Sequence, residues 1–104
     1  MSETLAITPA DIFPPAVPGA LTAEPGVGAI ELAWDRNAEP DFRGYNIYRS
    51  VEDGPFEKIA SLIEAPAYSD RQVEAGKRYR YAVTAVDQVG NESERSTVAE
   101  ATAQ

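Results

Sequence analysis

The sequence predicts an all-β sandwich, and three observations predict it. Short runs that alternate apolar and polar residues recur at roughly 8–12-residue spacing, with turn residues between them. No window carries apolar residues at helical spacing over three turns. The clearest run lies within 76–91. There Tyr79, Tyr81, Val83 and Ala85 alternate with Arg80, Ala82 and Thr84, between the turn signals Ala75-Gly76 and Val89-Gly90-Asn91. A period of two over that length defines a strand with one buried face.

Residues 1–17 read as a Pro-rich lead-in or linker, in which a short strand at 5–8 either adds an edge to this domain or finishes a neighbouring one. Pro9, Pro14, Pro15 and Pro18 fall within ten residues and fix φ, so the segment is stiff. Ile12 and Phe13 are expected to pack on the domain edge. The domain proper is expected over 18–104, as seven strands. The first is 20–23, closed by Pro25-Gly26. The second is 29–34, with Ile30, Leu32 and Trp34 on one face. The third is 45–49, and Asp53-Gly54-Pro55 turns it into a fourth at 56–60. A brief fifth covers 67–69, the sixth is 78–87 and the seventh is 97–102.

With 104 residues the chain is long enough for one domain, which buries about 65% of its unfolded surface without staples. It has no Cys and no His. That removes disulfides, thiolate metal sites and the commonest general base. Seventeen acidic residues against nine basic ones give a net charge of −8. Such a surface repels phosphate backbones and anionic membranes and favours solubility. The first residues show no basic or apolar signal-peptide region, and no segment is long enough to span a bilayer.

Pro18-x-x-Leu21, Ile30-x-Leu32-x-Trp34, Gly44-Tyr45-x-Ile47-Tyr48-Arg49, Tyr68-x-Asp70-x-x-Val73 and Gly76-x-x-Tyr79-x-Tyr81-x-Val83-x-Ala85 follow one another in order. Together they resemble a fibronectin type III domain over about residues 15–104. Gly54-Pro55-Phe56, Ala85-Val86-Asp87 and Gly90-Asn91-Glu92-Ser93 resemble the bacterial kind found in secreted enzymes and lipoproteins. The resemblance implies an immunoglobulin-like β-sandwich of seven strands in two antiparallel sheets, three plus four. It implies a structural core of Trp34, Tyr45, Ile47, Val73, Tyr79, Tyr81 and Val83. It implies a tyrosine corner in which the Tyr79 hydroxyl bonds backbone in the 73–76 turn. It also implies a non-catalytic spacer or protein-interaction module of a larger extracellular or cell-envelope protein. Its partners would be neighbouring domains of that parent, and the isolated domain is expected to be a monomer without cofactor.

Three groups of residues are candidates for chemistry. An acidic end, with Asp35, Glu39, Asp41, Asp87, Asn91, Glu92 and Glu94, has the oxygen chemistry of a Ca²⁺ site but not the ordered ligand spacing, and its residues are ordinary turn formers. No metal ligand is therefore assigned. Phe42, Tyr48 and Phe56 form a candidate binding surface for a glycan or a protein, set against ordinary cross-strand packing. Lys77, Arg78, Arg80 and Arg49 form a basic stripe expected to pair with Glu57, Glu100 and Asp87. Without His or Cys, no catalytic residue is assigned.

Overall fold

The computed structural model describes residues 14–104. The expected strand at 5–8 and the packing of Ile12 and Phe13 lie outside the described residues. Seven strands are present among them: β1 (Thr22–Gly26), β2 (Ala29–Ala33), β3 (Phe42–Val51), β4 (Glu57–Ile63), β5 (Ala67–Asp70), β6 (Arg78–Asp87) and β7 (Ala99–Thr102). They form a three-stranded sheet ordered β1-β2-β5 and a four-stranded sheet ordered β4-β3-β6-β7. Every pairing is antiparallel.

The alternation in the sequence becomes the packing between the sheets. Ile30, Leu32 and Trp34 come from the smaller sheet and its exit; Tyr45, Ile47, Tyr79, Tyr81, Val83 and Ala85 come from the larger. Tyr45, Ile47, Tyr81 and Val83 are fully buried and Trp34 is 6% exposed. The Trp34 and Tyr45 rings meet edge to face at 5.2 Å, the arrangement that the ring quadrupoles favour. Val73 is half-buried at the rim of this core. The Glu74 N–H donates to the Tyr79 hydroxyl at 2.7 Å, so the hydroxyl accepts from the 73–76 turn.

Two local expectations change. Pro25 and Gly26 do not close β1 but pair with Ile30 and Ala29 inside the hairpin. β1 is an edge strand, where a missing N–H costs nothing, and the turn falls on Val27-Gly28, with Gly28 at φ 77°. The turn from β3 to β4 is built on Glu52 and Asp53, both in the left-handed region, with the Gly54 N–H bonded to the Val51 carbonyl. Positive φ at both central residues is the type I′ geometry, whose twist suits a hairpin.

The chain enters and leaves at opposite ends. Pro15 and Pro18 are buried, and Ala16 is held from both sides. Its N–H donates to Glu39 Oε2 at 2.8 Å and its carbonyl accepts from Asn37 Nδ2 at 2.8 Å. The Asp35 N–H bonds the Gly19 carbonyl. This N-terminal pole carries the 35–41 and 87–91 loops. At the other pole the Gly76 N–H bonds the Ala103 carbonyl, and Gln104 Nε2 donates to the Pro25 carbonyl at 3.3 Å.

Candidate functional site

The outer face of the four-stranded sheet holds the candidate site, and the segment between β6 and β7 builds it. β7 pairs only with residues 78–81 of β6. The remaining edge of β6 is closed by two serines. Ser93 N–H donates to the Ala85 carbonyl at 2.8 Å, and the Ala85 N–H donates to Ser93 Oγ at 2.9 Å. Ser96 N–H donates to the Val83 carbonyl at 2.9 Å, and the Val83 N–H donates to Ser96 Oγ at 3.0 Å. Each hydroxyl in turn donates to the next carbonyl, of Glu94 or Thr97, at 2.9 Å. Side chains thus replace a backbone ladder, and no β6 amide there is orphaned.

This anchoring sends Glu92 and Arg95 across the sheet. Glu92 Oε2 accepts from Tyr48 Oη at 2.5 Å, Thr84 Oγ1 at 2.5 Å and Asn46 Nδ2 at 3.2 Å. Burial pushes the Glu92 carboxyl up, but these hydrogen bonds outweigh it and hold it below the usual carboxylate range. Burial and the adjacent Glu92 push the Tyr48 hydroxyl above the ordinary phenol range. The Arg95 guanidinium carbon lies 4.9 Å from the Tyr48 ring centre and 5.2 Å from that of Phe56. Arg80 adds a second guanidinium 5.5 Å from the Phe56 centre. All three distances are within cation–π range. Tyr48 and Phe56 are therefore half-buried under arginines, and Ala82 and Thr84 are buried on the side that alternation assigns to solvent.

Phe42 does not join them. Phe42 pairs with Asp87 and Gly44 with Val86, so Arg43 is an extra residue in β3. A one-residue bulge reverses the facing of the strand. Phe42 therefore packs inward on Tyr45, ring centres 4.6 Å apart, at the N-terminal pole.

Of the acidic residues expected at that pole, Glu92 lies across the sheet, Glu39 accepts from the Ala16 N–H and Asp87 is engaged within its own turn. Asp87 is 1% exposed; its Oδ1 accepts from the Val89 and Asn91 N–H groups at 3.1 and 2.9 Å, and its Oδ2 from Asn91 Nδ2 at 3.1 Å. Burial raises its carboxyl, but these turn hydrogen bonds hold it below the usual range. Among the described residues, no three acidic side chains converge as a metal site would need. The basic stripe pairs with Glu100 as expected, but otherwise with Asp53 and Asp70. Arg78 bonds Asp53 and reaches Glu100 at 3.5 Å, and Arg80 lies 3.9 Å from Asp53. Asp87, committed to its turn, takes no part. Arg49 points between the sheets to buried Asp70, 2.9 Å away, which also accepts from Tyr81 Oη at 2.7 Å and from the Gln72 N–H at 3.1 Å.

The residues that reading the sequence missed are Asn46, Ser93, Arg95 and Ser96. The 91–96 stretch has no alternation, so no strand signal marks it. The only hint was its spacing of two serines three apart after a Gly-Asn turn.

The two sheets, their three-plus-four strand count and this all-antiparallel order define an immunoglobulin-like sandwich module. The chain belongs to the fibronectin type III family. It is 34% identical to an Fn3-like protein from Clostridium thermocellum, whose crystal structure superposes with a TM-score of 0.73 over 86% of this chain and 94% of that one. Over 87 residues, 83% of the chain, it is 45% identical to an amylopullulanase of Thermoanaerobacterium saccharolyticum. It is 36% identical over 76 residues, 70% of the chain, to an exo β-1,2-glucooligosaccharide sophorohydrolase of Parabacteroides distasonis. The chain spans 7% of the first of these curated relatives and 10% of the second, so the matched region is a small module of much longer proteins. No protein-family profile matches the chain.

Proposed function

We propose that the chain is a non-catalytic spacer module of a larger bacterial extracellular or cell-envelope protein that processes glucans. The observation that carries this reading is that Ala16 and Gln104 lie at opposite poles of the sandwich. The N-terminal segment is clamped to the 35–39 loop, while Gln104 lies beside Pro25 at the opposite pole. A module inserted this way holds its neighbours apart by the length of the sandwich. The buried Pro15 and Pro18 restrict the swing at one joint. The similarity to segments of amylopullulanases and of a β-1,2-glucan hydrolase supports glucan processing by the parent.

The geometry speaks against Tyr48 or Phe56 as a flat platform for a sugar ring, because guanidinium groups lie over both. Affinity electrophoresis through gels containing pullulan, amylopectin or β-1,2-glucan tests the reading. The chain should run with the same mobility in each gel as in a plain one, and should release no reducing sugar from any of them. Retardation by any of the three would replace the spacer with a recognition module.

A further inference from the structure

We propose that Arg95 is an anion-recognition site on the outer face of the four-stranded sheet, fitted to a carboxylate of an acidic polypeptide segment. Arg95 is exposed, and its contacts among the described residues are the rings of Tyr48 and Phe56. Those rings lie against its planar group, and its N–H donors make no hydrogen bond or ion pair among the described residues. The backbone on either side is bolted to β6 through Ser93 and Ser96. A guanidinium positioned this way loses little freedom on binding, and its donor fork matches a carboxylate in bidentate fashion. Arg80, on the same Phe56 ring, and Lys58, paired with Tyr48 across the strands, extend the positive surface.

The nearby carboxylates do not neutralise it internally. Glu92 directs Oε2 to Tyr48, Thr84 and Asn46, and Asp53 is bonded to Arg78 and lies 3.9 Å from Arg80, so Arg95 is the guanidinium of this patch with no carboxylate partner among the described residues. The patch stands out on a chain of net charge −8, and is complementary to surfaces as acidic as the rest of this one. A polypeptide is the favoured occupant because the relatives carry this module within long chains. Tethered neighbours meet such a patch at effective concentrations of about millimolar, enough for a contact of few groups.

The test follows the arginine Nε–Hε signals of the full 104-residue chain by ¹H–¹⁵N NMR during titration with hexaglutamate, and in parallel with polygalacturonate, at fixed salt. Hexaglutamate should move the Arg95 signal. Arg95→Lys, which keeps the charge but not the fork, should weaken binding at least about fivefold. Arg71→Ala, which removes an equal charge elsewhere, should leave it within about twofold. An unmoved Arg95 signal, or equal losses in Arg71→Ala and Arg95→Lys, would reduce the patch to diffuse charge and overturn the proposal. Tighter binding of polygalacturonate than of hexaglutamate would overturn it in favour of an acidic glycan. Preserved amide spectra in both variants confirm that the fold is intact. Neutral glucans play no part, so this result is independent of the electrophoretic one.

Discussion

Gly44 is where one absent side chain decides the local fold. A Cβ there would sit 2.8 Å from the Cα and carbonyl carbon of Leu62, backbone atoms that cannot swing aside. Leu62 has φ 55° at a β4 bulge, and Asn46 Oδ1 accepts its N–H at 3.1 Å. Gly44→Ala should therefore destabilise the chain by about 1–3 kcal/mol in urea melts, although alanine is the better strand residue. Gly44 was legible as part of a motif, but its reason was not, because it depends on a bulge in a strand thirteen or more residues away. The Arg49–Asp70 pair makes the same point. Both residues stood in the resemblance, yet their pairing needs the two sheets to be stacked. Asp70→Asn would leave a largely buried guanidinium without its counter-charge, at a cost of about 3 kcal/mol. Tyr79→Phe should cost about 1 kcal/mol, since only the hydroxyl serves the Glu74 N–H.

Among the elements, β6 was the most legible and its covering segment the least. Alternation gave both ends of Arg78–Asp87, because a strand with one face in a core repeats every second residue. Ser93 and Ser96 serve a strand without being one, so periodicity passes over them, and the bulge at Arg43 turned Phe42 inward against its sequence phase. Ser93→Ala or Ser96→Ala should leave the buried Ala85 or Val83 N–H without an acceptor. Each should cost about 1–3 kcal/mol, and hydrogen exchange should speed up first at that same amide. Glu92 adds a pH dependence. Its folded pKa lies below the ordinary value of 4.5, so its contribution is complete above that value and is lost as pH falls through the folded pKa. Glu92→Gln should therefore lower the melting temperature at pH 7 and flatten its acid limb below about pH 4.5, the two curves converging in acid.

At the scale of the whole molecule, the proposed spacer role rests on residues 16 and 104 lying at opposite poles. The sandwich class was readable from short alternating runs, and the three-plus-four layers and the core from the family resemblance, whereas the strand order appears only in the structure. The clamp on Ala16 was not, because Glu39 and Asn37 looked like ordinary loop polars until the loop met the lead-in. That clamp fixes residues 15–18 against the 35–39 loop. The chain has no cysteine, so Ala16→Cys and Thr102→Cys place spin labels at the two poles without other changes. Double electron–electron resonance between them should give one narrow distance peak at about 30 Å or longer, the length of a ten-residue strand at about 3.3 Å per residue. A peak below about 20 Å, or a broad distribution, would contradict a strut with fixed, opposed ends.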